Sequence, residues 1–313
     1  MGGPSSEHDV SLATGRNVVE NLDRSKYEPI GIKITKDKEW FIGGRKILEM
    51  KALAGCDVIF NALHGTFGED GRIQAFLEYY EKPYTGSGIV ASALAMDKLR
   101  SREVFKMAGL KVPKTLKVRR GDNYDSLVKV FVNKVTNFPV VVKPCSNGSS
   151  VGVSIVQDNE QLGKAITATF KLDKKVLIEE FIKGTEVTCG VLQNFNGKRI
   201  SALPITEIVP RKGNTFFNYK AKYKSGHSDE ITPARINSDI TAKVQEIAEK
   251  AHESLGCRAY SRTDMIISGK DIYVLETNTL PGLTSASLFP KAASVAGLSF
   301  PQLLEAIISN SLA

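Results

Sequence analysis

Residues 260–284 read YSRTDMIISGKDIYVLETNTLPGLT, two apolar segments on either side of a polar turn. Glu276 and Asn278 are two residues apart on the second segment, so in a strand they point to one face. If residues 269–271 are unpaired in the turn, Asp264 lies directly opposite Glu276 on that same face. Carboxylate and amide oxygens are hard ligands that suit Mg²⁺ shared between protein and phosphate. The stretch therefore predicts a hairpin that carries a magnesium–nucleotide site at Asp264, Glu276 and Asn278.

Arg262 lies two residues before Asp264 and shares this predicted face. A solvated sheet surface would explain isolated charges. It would not explain one basic, two acidic and one amide side chain that converge between apolar positions. The pattern therefore favours a binding site over a plain surface.

A second motif, residues 147–152 (NGSSVG), joins predicted strands at 140–143 and 151–156. Its glycines allow close backbone approach, and its amides and hydroxyls can cradle phosphate oxygens. It is not a Walker A loop, because no Gly-Lys-Ser/Thr follows. A simple Asn-Gly hairpin is an equally good interpretation of the loop alone. Lys143 at the end of the first strand favours phosphate binding, and Lys98 on a predicted helix is a second candidate.

The composition sets the class of protein. The chain has 313 residues, 42% hydrophobic and 24% charged, with a formal charge of +8. This length predicts two or three packed units, and no apolar run approaches the ~18 residues of a membrane span. The basic residues are scattered, which favours an anionic small substrate over nucleic acid. Four widely spaced cysteines and no signal-peptide pattern predict reduced thiols and a cytoplasmic location.

The alternation of strands and helices predicts three α/β units, at residues 1–88, 89–183 and 184–313, the first with a parallel sheet. The predicted elements include a buried strand at 57–63, a helix at 92–108, and strands at 185–193 and 199–208 around a turn at Asn196-Gly197.

The segment 179–182 begins with two carboxylates that end an apolar run. It is either a plain strand end or a segment that contacts adenine and ribose, and the residues alone leave this open. The polar stretch 213–229 predicts a functional loop.

These motifs, in this order, resemble the ATP-grasp fold and, more closely, the D-alanine–D-alanine ligases. The resemblance spans nearly the whole chain and rests on these stretches: residues 2–11, 63–65, 68–71, 84–88, 96–98, 142–144, 148–152, 221–223, 262–264 and 276–284. It implies ATP bound between the second and third units.

The resemblance also implies a role for each matching position. Residues expected to hold ATP are Lys98, Lys143, Ser149, Ser150, Glu179, Phe181, Ile182, Glu186, Lys222 and Asn278. Two Mg²⁺ ions, or Mn²⁺, would be bound by Asp264, Glu276 and Asn278. Residues expected to bind or act on the two D-alanines are Glu7, His64, Ser149, Lys222, Tyr223, Arg262, Gly282, Ser287 and Leu288.

In the implied reaction, the carboxylate of one D-alanine attacks the γ-phosphorus of ATP, and the amine of the second D-alanine attacks the resulting acyl phosphate. Arg262 and the Gly282 amide would stabilise the oxyanion. The loop 213–229 would exclude water. The product serves peptidoglycan synthesis in this family, whose members are expected to be homodimers with no nucleic-acid or membrane partner.

One departure from the family pattern lies at the start of the sequence. Members open with an apolar strand before the Gly-Gly loop, whereas here Met1 directly precedes Gly2. Either the true start lies upstream or the chain is truncated. A truncated chain would leave apolar surface beside the missing strand uncovered and Glu7 poorly placed. The alternatives are therefore an impaired nucleotide-binding form, or a ligase that makes D-alanyl-D-serine or D-alanyl-D-lactate. Tyr223 disfavours the lactate enzyme, where phenylalanine is expected.

Overall fold

The computed structural model describes residues 1–146, 152–210 and 228–312. Predictions that concern Ser149, Ser150, Lys222, Tyr223 and the loop at 213–227 lie outside these ranges. Within them, one β-sheet falls in each of the three predicted units.

The first unit contains three helices and a small sheet. Its elements are α1 (His8–Asn21), β1 (Ile32–Ile34), β2 (Trp40–Ile42), β3 (Arg45–Ile47), α2 (Glu49–Ala54) and α3 (Arg72–Tyr79). The sheet is antiparallel, so the prediction of a parallel sheet is wrong. Two isolated bridges in this unit are parallel, Gly2 with Ile34 and Ile59 with Tyr84.

A cavity explains why the predicted strand at 57–63 pairs only at Ile59. The space between residues 30–34 and 57–63, where another strand would pair with both, is a cavity of about 440 Å³. Apolar side chains such as Val18, Phe60 and Leu77 line it. The cavity adjoins Met1, whose amino group donates to Ile32 O at 2.9 Å, and lining residues such as Val18 and Leu77 are buried.

The second unit is built on a four-stranded antiparallel sheet. Its elements are α4 (Ile89–Met96), α5 (Lys98–Met107), β4 (Thr115–Arg119), α6 (Asp125–Val130) with a π-helical extension (Phe131–Thr136), β5 (Val140–Pro144), β6 (Ser154–Val156), α7 (Asn159–Thr169) and β7 (Lys175–Glu180). The strand order is β4-β7-β5-β6.

The helix predicted at 92–108 is two helices, because the Asp97 side chain caps the second of them. It accepts hydrogen bonds from the backbone N–H groups of Leu99 and Arg100, as an N-cap residue does. The break makes Lys98 the first residue of α5. Phe105 of α5 packs into the core of the third unit with Val244, so this helix pair belongs physically to the third core.

The third unit holds the largest sheet. Its elements are β8 (Thr185–Phe195), β9 (Lys198–Ala202), β10 (Thr206–Pro210), β11 (Ser228–Ile231), α8 (Ser238–Ser254), β12 (Tyr260–Ser268), β13 (Asp271–Asn278), α9 (Leu288–Val295) and α10 (Phe300–Leu312). The order is β11-β10-β8-β12-β13, with β9 also paired to β8. The predicted turn at Asn196-Gly197 is confirmed, and both residues have positive φ. The strand predicted at 199–208 is interrupted after Ala202.

No single helix among the described residues is long and apolar enough to span a membrane. The pair α9 and α10 passes that test by length and composition only, and it is bent by 104°.

His252 on α8 is a buried histidine whose ring Nδ1 lies 2.7 Å from Ser261 Oγ of β12. Burial lowers its pKa to about 4. The unfolded chain therefore binds the proton more readily, and the free energy of unfolding falls as the pH drops from about 6.5 towards 4.

The protonation of His252 should lower the free energy of unfolding by about 2 kcal/mol between pH 7 and pH 5. We expect His252→Gln to abolish this part of the pH dependence. Urea unfolding of both proteins at the two pH values measures this, and parallel pH dependences would contradict it.

Candidate active site

The hairpin β12–β13 places Asp264 directly opposite Glu276, as predicted, and Arg262 opposite Asn278. The predicted reason is wrong, however. Ser268 pairs with Asp271, so the turn has two residues, and the register shifts between Asp264 and Met265. Met265 pairs with Val274, which leaves Leu275 as the extra residue of a β-bulge. A bulge re-aims the side chains beyond it, and here it brings the two carboxylates face to face.

Each carboxylate of this pair contacts a cationic side chain. Arg262 donates to Asp264 through Nε at 3.0 Å and Nη2 at 3.2 Å. Thr188 Oγ1, on the neighbouring strand β8, donates to Asp264 Oδ1 at 2.6 Å. Glu276 Oε2 lies 2.9 Å from Lys98 Nζ at the start of α5. The side chains are thus fixed by charge pairs that link α5 with the third sheet.

Two cavities meet at this pair. The first is about 360 Å³ and lies between β5–β7 and β8–β10, and the second is about 430 Å³ and lies towards α1. Five residues line both: Lys98, Glu186, Ile208, Asp264 and Glu276. Ligands in the two cavities would therefore touch each other at the paired carboxylates.

The first cavity has an apolar wall and a charged inner end. Phe181 and Ile182 line the wall. Lys143 Nζ at the inner end lies 3.1 Å from Glu179 Oε2. Burial lowers the pKa of Lys143 to about 8, although Glu179 counteracts the shift. Burial also disfavours the charged form of Glu179, but Arg102 and Lys143 outweigh it and hold its pKa below the ordinary value.

The second cavity brings together predicted substrate residues that are far apart in sequence. Glu7, His64, Arg262, Gly282, Ser287 and Leu288 all line it. Glu7 precedes α1 and is buried at 6% exposure, and its backbone N–H donates to Ser5 Oγ at 3.1 Å. It therefore lies in the cavity wall. At Gly282 a Cβ atom would lie 2.9 Å from Ser287 Oγ, so a larger residue would displace the Ser287 side chain.

His64 is held by a network that the sequence did not predict. Its Nε2 lies 2.8 Å from Thr14 Oγ1 and its Nδ1 lies 3.3 Å from Glu69 Oε1. Burial raises the pKa of Glu69. Thr14 and Glu69 belong to separate segments, α1 and the loop before α3. No local spacing could have connected them, although Glu69 falls inside the quoted motif 68–71.

The donor set at the cavity junction suits Mg²⁺. Among the described residues, no group of three or more His, Cys, Asp and Glu side chains could hold a metal ion. Asp264 and Glu276 give two carboxylates, and Asn278 gives an amide oxygen that accepts from Leu280 N–H at 2.8 Å. Mg²⁺ usually takes one or two carboxylates and completes its shell with water and substrate phosphate, so this set fits.

This fold, with a nucleotide-sized cavity joined to a polar cavity at paired carboxylates and buried lysines, defines an ATP-dependent carboxylate–amine ligase of the ATP-grasp fold. Family models for the N-terminus and the C-terminus of D-Ala–D-Ala ligases match residues 1–87 and 104–309. The chain belongs to the D-alanine–D-alanine ligase family.

Individual relatives agree with this assignment. The chain is 44% identical over 311 residues to a D-alanine–D-alanine ligase of Syntrophobacter fumaroxidans, covering 99% of this chain and 96% of that protein. The D-Ala:D-Ser ligase VanG from Enterococcus faecalis superposes with a TM-score of 0.86 at 31% identity, covering 99% and 97%. The Bacillus anthracis D-alanine–D-alanine ligase complexed with ATP gives 0.79 at 34% identity, covering 100% and 95%.

Glu276→Gln keeps the shape of the side chain but removes the charge that pairs with Lys98 and suits a metal. We expect the Mg²⁺ concentration for half-maximal ATP turnover to rise at least about tenfold, with the melting temperature nearly unchanged. Asp271→Asn is the matched control, because Asp271 begins the same strand but pairs with Lys111 at the surface. Equal Mg²⁺ dependence in the two variants would contradict the metal assignment.

Proposed function

We propose that this protein joins two D-alanine molecules into D-alanyl-D-alanine at the expense of ATP. One observation carries the proposal: the two cavities share their lining at Lys98, Asp264 and Glu276. A nucleotide in the first cavity would end where a substrate in the second begins. The family relation supports ATP as the nucleotide and D-alanine as the substrate.

In this reaction the carboxylate of the first D-alanine attacks the γ-phosphorus, which forms an acyl phosphate and releases ADP. The amine of the second D-alanine attacks the acyl carbon, and phosphate leaves with the bonding electrons. Lys98 and Lys143 neutralise phosphate charge. Asp264, Glu276 and Asn278 would hold Mg²⁺, which when bound neutralises charge on the phosphate oxygens.

The second cavity orients the amino acids. Glu7 pairs with the ammonium of the first D-alanine. Arg262, only 15% exposed at its side chain, and the Gly282 N–H face the oxyanion that forms on the acyl carbon. Ser287 and Leu288 hold the second D-alanine by its carboxylate. The placement of Glu7 in the cavity wall favours an active enzyme over an impaired nucleotide-binding form.

D-Serine is the second candidate for the attacking amino acid. The likeness to the D-Ala:D-Ser ligase VanG covers nearly both chains, so the fold alone does not separate the two. The stronger sequence relation to D-alanine–D-alanine ligases favours D-alanine. We further propose a homodimer in the cytoplasm that serves peptidoglycan synthesis. The four free cysteines agree with a reducing compartment.

Phosphate release from ATP measures the proposed reaction directly. We expect release only when D-alanine is present, with D-alanyl-D-alanine formed in equal amount. D-Serine added beside D-alanine should yield little mixed dipeptide. Release without any amino acid, or a preference for D-serine as the attacking amine, would contradict the proposal.

Glu7→Gln removes the carboxylate that is proposed to pair with the ammonium group. A buried charge-assisted hydrogen bond is worth about 1.5–3 kcal/mol, so the KM for the first D-alanine should rise roughly 10–100-fold. The KM for ATP should remain within about twofold, because Glu7 lines only the second cavity. Initial rates at varied D-alanine and at varied ATP separate the two constants. An equal rise in both would contradict the role of Glu7.

A further inference from the structure

Arg102 is a buried cation that the reaction described above does not use. It lies on α5, four residues after Lys98, and is 1% exposed. Its Nη1 and Nη2 donate to Glu179 Oε1 at 2.5 Å and Oε2 at 2.9 Å. Nη1 also donates to Thr115 Oγ1 of β4 at 2.5 Å. Two parallel bonds of this kind fix the plane of the carboxylate as well as its position.

Glu179 carries this constraint to the nucleotide cavity. The oxygen that accepts from Arg102 Nη2, Oε2, is also the one that lies 3.1 Å from Lys143 Nζ. Glu179 and Lys143 line the first cavity, whereas Arg102 lies behind its wall. The three residues therefore form a chain, Arg102 to Glu179 to Lys143, that runs from the interior to the cavity surface.

The charges explain why Lys143 depends on Glu179, and Glu179 on Arg102. A buried ammonium such as that of Lys143 is stabilised by a carboxylate held at hydrogen-bond distance. Glu179 serves it only if the carboxylate does not rotate. Arg102 prevents that rotation and is itself anchored by Thr115 and by Leu275 O at 3.5 Å. Leu275 is the bulge residue of β13, so the same chain reaches the strand that carries Glu276.

We propose that Arg102 is a positioning residue for ATP: it orients Glu179, which holds the Lys143 ammonium towards the phosphates. This inference rests on the proposed function, because it takes Lys143 as a phosphate-binding residue. A purely structural ion pair would stabilise the fold without changing nucleotide affinity selectively.

A double-mutant cycle tests the proposal. Arg102→Lys keeps the positive charge but loses the paired hydrogen bonds to Glu179. The cycle compares this variant, Lys143→Ala and the double variant with the unchanged protein. ADP affinity is measured by calorimetry, and adenosine, which has no phosphate, by competitive inhibition. We expect Arg102→Lys to weaken ADP binding about 5–20-fold in the otherwise unchanged protein and less than about twofold when Lys143 is alanine. Adenosine inhibition should weaken clearly less than ADP binding, since any contact of Glu179 with the adenosine part is common to both ligands. The kcat at saturating ATP should stay within about threefold.

Two further variants keep the test decisive. Thr115→Val removes the hydroxyl that accepts from Arg102, together with its bond to Pro113 O. It should weaken ADP binding by about two- to threefold, even if Arg102→Lys folds poorly. Arg258→Lys is the matched control, because Arg258 is a partly buried arginine that bonds Tyr84 O and Gly86 O away from Lys143. It should lower the melting temperature without changing ADP affinity.

Equal losses from Arg102→Lys on both Lys143 backgrounds, or an equal loss of adenosine binding, would overturn the inference. If Lys143→Ala itself leaves ADP affinity unchanged, the assignment of Lys143 to phosphate is what fails, and the inference falls with it. A normal effect of Lys143→Ala with no effect of Arg102→Lys would refute only the role of Arg102.

Discussion

The bulge at Leu275 is the constraint on which the site depends. Without it, the two-residue turn would pair Asp264 with Leu275, and the side chain of Glu276 would lie on the opposite face. The extra residue shifts the register by one, so Asp264 pairs with Glu276. The residues between the bulge and the turn pair in the unshifted register, from Met265 with Val274 to Ser268 with Asp271. The same pair of strands thus presents apolar side chains to the core and a row of polar side chains to the cavities. The bulge also directs Leu275 O towards Arg102.

Three cations that line the two cavities each have a carboxylate partner. Lys98 pairs with Glu276, Arg262 with Asp264, and Lys143 with Glu179. Such pairs contribute little net stability, since desolvation offsets much of their attraction. In the proposed reaction they would instead hold the cations in place before ATP binds. The lysines would then turn to phosphate oxygens, and Asp264 and Glu276 would be available to hold Mg²⁺.

Local patterns predicted much of this site, and the parts they missed depend on distant contacts. The spacing of Glu276 and Asn278 was sufficient to place both on one face of a strand. The pairing of Asp264 with Glu276 depends instead on a bulge that has no sequence signal of its own, since the turn has two residues and not three. The split between α4 and α5 was missed because helical periodicity continues through Asp97, whose capping role depends on backbone geometry. Arg102 could have been noticed, since it follows Lys98 by one helical turn. Its partner Glu179 lies 77 residues away, beyond any spacing rule.

The first unit contributes Glu7 and His64 to the second cavity, and its contact with the third unit holds them there. Glu7 reaches the second cavity because α1 follows it directly, and α1 is fixed to the loop that contains Gly282 by one hydrogen bond, from Asn17 Nδ2 to Leu283 O at 2.6 Å. A second anchor within the first unit, from Ser11 Oγ to Ala62 O at 2.7 Å, holds the start of the helix beside His64. Among the described residues, the apolar cavity beside Met1 and the second cavity share no lining residue. The space within the first unit therefore does not interrupt the wall that Glu7 and His64 form.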